Sequence, residues 1–161
     1  MNKNFLKLFT GLAALFIVLA LADTSYAQRR RARGNNFTKV QVEQIIGRVE
    51  ERVDNFVGRL DKSLDNSRLD GTKQEDNINS RAKDLEGATD ELRREFDRRD
   101  RWVENKDEVR RCLNIATDIN RVMNSRKFNK QTEGNWERVR YELNTLAKVY
   151  NLPMVGSNTY R

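Results

Sequence analysis

No histidine occurs anywhere in the 161 residues, and cysteine and proline occur once each. The missing imidazole removes Ser-His-Asp and Cys-His nucleophilic sites. It also removes the Glu-x-x-His pairs of di-iron bundles, haem attachment through Cys-x-x-Cys-His, and His-containing zinc sites. The single cysteine, Cys112, permits no intramolecular disulfide, and no cysteine directly follows an apolar run as a lipoprotein would require. Cys112 falls within an apolar helical stripe and is expected to pack as a small hydrophobe. No glycine-rich phosphate loop is present, and no stretch alternates apolar and polar residues as a strand does.

One long apolar run exists. Lys3 and Lys7 precede Leu12 to Leu21, and Ser25-Tyr26-Ala27 supplies a small-residue motif after it. This order predicts a signal peptide over 1–27, cleaved before Gln28, and hence an exported protein, periplasmic or secreted. The alternative is an uncleaved inner-membrane anchor, since Phe5 to Ala22 spans about 18 residues, the lower edge of a membrane-crossing length.

The charge divides unevenly. The chain is +7, with 31 basic and 24 acidic residues. Residues 1–27 hold Lys3 and Lys7 against Asp23, a net of one, so about six remain beyond them. Arg29, Arg30, Arg31 and Arg33 supply four of those six, which leaves the body only about two. The basic character therefore belongs mainly to a disordered arm over 28–37. A charged fraction of 34% would suit a wholly disordered chain, but periodicity excludes that.

From Thr38 the apolar positions are Val42, Ile46, Val49, Val53, Phe56 and Leu60, spaced 4, 3, 4, 3, 4. That is a heptad seam, widened by Ile45, Val57 and Leu64 into the stripe of a globular bundle. Thr38 with Gln41, and Thr72 with Glu75, read as capping boxes. The second stripe is Ile78, Ala82, Leu85, Thr89, Leu92 and Phe96, continuing to Val103. The third is Val109, Cys112, Leu113, Ala116, Ile119, Val122 and Met123. The fourth is Trp136, Val139, Leu143, Leu146, Val149 and Tyr150, stopped by Asn151 at C′, Leu152 and Pro153.

Helices are therefore expected over about 38–67, 72–103, 106–125 and 132–151, with a flexible tail over 153–161. The fold class is all-α, an antiparallel up-down-up-down four-helix bundle over 38–152 with its first hairpin longer than its second. A two-helix coiled-coil arm with a small helical head is the alternative. Heptad spacing also leaves a homo-oligomer open. The pairs Asp90–Arg94, Glu95–Arg99 and Asp97–Arg101 are acid-before-base at i, i+4, so the dense charge reads as a solvated face.

The connection LDNSRLDGTKQED fails as a calcium loop. With Gly71 at position six, position three is Arg68 and position twelve is Asn77, where an EF-hand needs an acid or amide and a bidentate Glu. No catalytic, cofactor-binding or metal-ligating residue is assigned, and no enzyme activity is expected. Polyanion contact through Arg29, Arg30, Arg31 and Arg33 is the one candidate site. No aromatic residue interleaves these arginines for base stacking, so specific nucleic-acid recognition is not expected. Of Trp102, Trp136 and Tyr141, which could form an exposed patch, Trp136 sits on the seam and is expected in the core.

Two stretches, LDGTKQEDNIN (69–79) and WERVRYELNTLAKVYNL (136–152), resemble a group of small exported all-helical bacterial proteins. In the second, Trp136, Arg140, Leu143, Asn144, Leu146, Ala147, Tyr150 and Asn151 carry the likeness. The resemblance implies an exported bacterial protein and transfers no activity or site residue. Asn144 reads as a polar-face residue and Asn151 as a helix stop. The expected partner is a protein or a component of the cell envelope.

Overall fold

The computed structural model describes residues 37–157. Four α-helices account for most of them: α1 Lys39–Asp65, α2 Lys73–Arg98, α3 Lys106–Ser125 and α4 Lys130–Val149, with a 3-10 turn at Trp102–Asn105 before α3. No strand occurs among the described residues. Consecutive helices pack against one another, and α1 closes the ring against α4. The directions alternate: Arg48 meets Glu142 and Phe56 meets Trp136 across α1–α4, Glu43 meets Arg93 and Asp61 meets Asn79 across α1–α2, and Arg81 meets Asp118 while Arg99 meets Glu108 across α2–α3. The result is the expected antiparallel four-helix bundle, not an arm with a separate head. Helices of 27 and 26 residues precede two of 20, so the first hairpin is the longer one.

The seams bury as their spacing dictates. Every α1 residue of the stripe except half-buried Val57 is buried, with Val42, Val49, Val53, Phe56 and Leu60 wholly excluded from solvent. Thr38 caps α1 through a complete box: its Oγ1 accepts from Gln41 N at 3.2 Å, and Gln41 Oε1 accepts from Thr38 N at 3.0 Å. The second box is altered. Thr72 Oγ1 accepts from Glu75 N at 3.3 Å, but Glu75 Oε2 reaches one residue further back, to Gly71 N at 2.6 Å. Gly71 stands at φ +70°, a left-handed conformation that glycine adopts without a Cβ penalty.

The largest departure from the stripe pattern lies at the α2–α3 corner. The spacing predicts helix to Val103, yet α2 ends at Arg98 and Arg99 is extended at φ −98°, ψ 137°. Val103 consequently stands 42% exposed in the 3-10 turn. Tertiary bonds outweigh the local period here. By leaving the helix, Arg99 donates to Glu104 O, to Asn105 Oδ1 at 3.2 Å and to both oxygens of Glu108 at 2.8 and 3.1 Å. Its own carbonyl accepts from Lys39 Nζ at 2.7 Å, which ties the corner to the start of α1. Tyr150 Oη donates to Trp102 O at 2.8 Å while the two rings meet edge to face at 5.2 Å, tying the same corner to the end of α4.

The C-terminal segment is also more ordered than its composition suggests. Asn151 at φ 51° is the left-handed C′ residue, and the Schellman bonds follow: Leu152 N to Ala147 O at 2.9 Å and Asn151 N to Lys148 O at 3.3 Å. Beyond Pro153 the expected flexible tail instead folds back over 153–157. Val155 is buried, and its N–H donates to Asn144 Oδ1 at 2.7 Å. Asn144 is thus the clasp of that segment and not merely a polar-face residue. Gly156 stands at φ +81°, where an added Cβ would meet Asn120 Nδ2 at 3.1 Å. α4 begins and ends two residues earlier than its stripe implied, at Lys130 and Val149.

Substitution separates seam from corner. Phe96→Ala, at a fully buried position, should cost about 3–5 kcal/mol of unfolding free energy, whereas Val103→Ala should stay within about 0.5 kcal/mol. Urea denaturation followed by far-ultraviolet circular dichroism measures both. A comparable loss at Val103 would restore that residue to the core.

Candidate functional site

The arginines singled out in the sequence, Arg29, Arg30, Arg31 and Arg33, lie outside the described residues, as do the apolar run and its cleavage motif. The helical body presents a different concentration of positive charge. At the end of the bundle where both hairpin connections lie, the last turn of α1, the turn at 66–69 and the α3–α4 connection enclose a cleft of about 680 Å³. Lys62 and Arg68 line one side, Arg126 and Lys127 the other, and no carboxylate lines it. Leu64, Leu69 and Phe128 give it apolar surface, the first buried and the other two half-buried against the core.

The local sequence explains how this cleft is held. Asn129 caps α4, its Oδ1 accepting from Thr132 N at 2.8 Å, and its Nδ2 donates across to Ser63 Oγ of α1 at 2.8 Å. Arg126 Nη2 donates to Gln74 Oε1 at 3.2 Å, tying the second connection to the first turn of α2. Asn66 Nδ2 returns to Lys62 O at 2.7 Å, and Ser67 Oγ accepts from Leu69 N at 3.0 Å. The amides and hydroxyls, with Arg126, thus fix the two connections, and among the described residues the four cations enter no ion pair with a carboxylate. The sequence shows Arg68 and the pair Arg126-Lys127 58 residues apart, with nothing to mark them as neighbours; the antiparallel return of α2 and α3 brings them together.

Elsewhere on the described body ten arginines are paired with carboxylates. Of the three expected intrahelical pairs, Glu95–Arg99 forms at 3.1 Å. Arg94 pairs with Glu91 instead of Asp90, and Asp97 with Arg93 at 3.3 Å instead of Arg101, which lies 3.9 Å from Glu104. Across helices, Arg48–Glu142 at 3.1 Å, Arg93–Glu43 at 3.2 Å and Arg81–Asp118 at 3.2 Å join α1 to α4, α1 to α2 and α2 to α3. Single-helix periodicity could not reveal these pairs.

On the α1–α2 face, Glu50, Asp54 and Glu86 each hold their protons more tightly than usual. Partial burial is the main cause, with repulsion from Asp90 and from one another adding to it and Arg93 opposing it at Glu50. No group of three or more side chains able to hold a metal ion occurs among the described residues, this face included.

The interior carries no unused polar chemistry. Every buried side-chain nitrogen and oxygen among the described residues has a hydrogen-bond partner. Trp136 is in the core as its spacing requires, its Nε1 donating to buried Asn120 Oδ1 at 3.1 Å and its ring 5.1 Å from Phe56. Trp102 is half-buried and Tyr141 is 71% exposed, on the corner and on α4 respectively. Cys112 is fully buried, and that burial pushes its thiol up to about 12 from 9.0. A thiol held neutral is a packing group, not a nucleophile.

Two pH effects follow. The folded state keeps the Cys112 proton that the unfolded chain releases, so this contribution to stability is present below about 9 and is lost as pH rises toward about 12. Alkaline titration of the melting temperature should show that decline, with a shallower slope in Cys112→Ala. Asp54 has the same sign in the acid range, because a raised carboxyl penalises the charged folded state and the penalty is relieved on protonation. Asp54→Asn should raise the melting temperature at pH 7, and the gain should vanish as pH falls through the carboxylate range. A variant less stable than the parent at pH 7 would contradict it.

Comparison of the chain with protein-family models, with curated proteins and with solved structures gives no match.

Proposed function

We propose that this chain is an exported, non-catalytic helical bundle of a bacterium that binds a protein or another component of the cell envelope. The observation that carries the reading is the basic cleft at the hairpin end. There an open concavity brings together apolar surface and four cations that form no ion pair among the described residues, and no carboxylate lines it. The apolar run and small-residue motif before Gln28 support export, and the likeness in 69–79 and 136–152 supports the same compartment. No described helix is long and apolar enough to cross a membrane.

Site-specific photo-crosslinking tests the reading. A cross-linking residue at Lys127 should form one discrete adduct in the envelope fraction, and the same residue at Arg94, on the outer face of α2, should form none. Absence of any adduct at Lys127, or equal labelling at both positions, overturns it. The mass of the cellular protein tests export: a species beginning at Gln28 supports it, and one beginning at Met1 favours the membrane-anchored alternative.

The arginine arm favours a second reading, weak polyanion binding through Arg29, Arg30, Arg31 and Arg33. Four phosphate contacts would give a slope of log affinity against log salt of about −3.6, at roughly 0.9 per contact. Replacing the four arginines with alanine should abolish retention on heparin at low salt. Unchanged retention ends this reading.

A further inference from the structure

We propose that the cleft at the hairpin end binds an anionic amphiphile, a phosphate-bearing headgroup attached to an apolar chain, as in an anionic phospholipid. The proposal rests on the binding reading above and names the ligand class for that site.

Charge argues first. Lys62, Arg68, Arg126 and Lys127 converge on one concavity from two connections, and no carboxylate lines it. Among the described residues none of the four is in an ion pair with a carboxylate. Four like charges around one cleft repel one another, and a bound anion relieves that repulsion. Two of them are guanidiniums, whose planar fork matches the oxygens of a phosphate.

Shape and polarity argue second. About 680 Å³ lies within the range of organic-ligand sites and exceeds what a bare inorganic anion would fill. Leu69 and Phe128 place apolar surface beside the cations, so a ligand that satisfies the cleft must be charged at one end and apolar at the other. A nucleotide also carries phosphate and a flat apolar ring. Reading a base edge, however, takes polar side chains, and those at this cleft are engaged in fixing the connections: Asn129 with Thr132 N and Ser63, Asn66 with Lys62 O, Ser67 with Leu69 N. What remains is recognition by charge and apolar contact, which suits a lipid.

The experiment titrates the full chain with dihexanoyl phosphatidylglycerol below its micelle concentration, using calorimetry for affinity and backbone amide shifts for location. Saturable binding with shifts centred on 62–69 and 126–129 is expected. The double variant Arg68→Glu/Arg126→Glu should weaken it about tenfold or more through loss of charge-assisted bonds. Both residues are exposed, and circular dichroism confirms the fold. Replacing the four arm arginines with alanine should leave the binding unchanged, which separates the cleft from the arm. Dihexanoyl phosphatidylcholine, inorganic phosphate and adenosine monophosphate complete the set. Equal affinity for phosphatidylcholine overturns anion recognition, and equal affinity for inorganic phosphate overturns the apolar requirement. Tighter binding of the nucleotide overturns the lipid assignment, and an undiminished affinity in the charge-reversed variant overturns the site. A Lys127 adduct in the envelope without phosphatidylglycerol binding would sink the ligand class while leaving the broader binding reading standing.

Discussion

The apolar seam of α1 is the constraint on which the rest of the bundle depends. Its eight buried side chains, from Val42 to Leu64, run almost the whole length of the helix. α1 packs on α2 along one side and on α4 along the other, so it is shared by both hairpins. Burying a side chain of the Val, Leu, Ile or Phe type stabilises by about 1.5–3 kcal/mol each, far more than an exposed ion pair at about 0–1 kcal/mol. The many charges therefore decorate and orient a bundle that apolar burial assembles. Phe56 shows the coupling: wholly buried, it meets the Trp136 ring of α4, whose indole N–H is in turn held by Asn120 of α3.

Where burial leaves the direction of the chain undecided, polar bonds settle it. Arg99 ends α2 and gathers Glu95, Glu108, Asn105 and the carbonyl of Glu104 around one guanidinium, while Lys39 and Tyr150 bring in the start of α1 and the end of α4. Asn144 does the same for the segment after Pro153, and Asn129 for the opposite end of the bundle. Each of these side chains makes a bond that neither its own helix nor its neighbours in sequence could supply.

The two ends of the bundle consequently differ in kind. At the α2–α3 corner the cation Arg99 is consumed by carboxylates and carbonyls, and the end is closed by tertiary bonds. At the hairpin end amides, hydroxyls and Arg126 fix the connections without a carboxylate, and four cations line a cleft. This division makes the hairpin end the place where the body can meet an anionic partner. The arginines at 29–33, which carry most of the chain's basic excess, belong to a different part of the sequence.

The sequence by itself determined the four helices, their seams and most of their caps, because a period of 3.6 with apolar repeats is a local property that each segment expresses alone. It determined the fate of Cys112 and Trp136 for the same reason, since both sit on a stripe. Asn151 at the left-handed stop was legible from the Asn-Leu-Pro order. Only the tertiary structure decided that Val103 leaves the seam and that Val155 enters the core. It alone decided that Lys62, Arg68, Arg126 and Lys127 share one cleft. The physical reason is common to all of these. Each depends on a bond or a proximity between residues from different segments of the chain, and a single-helix period contains no term for a neighbour outside its own helix.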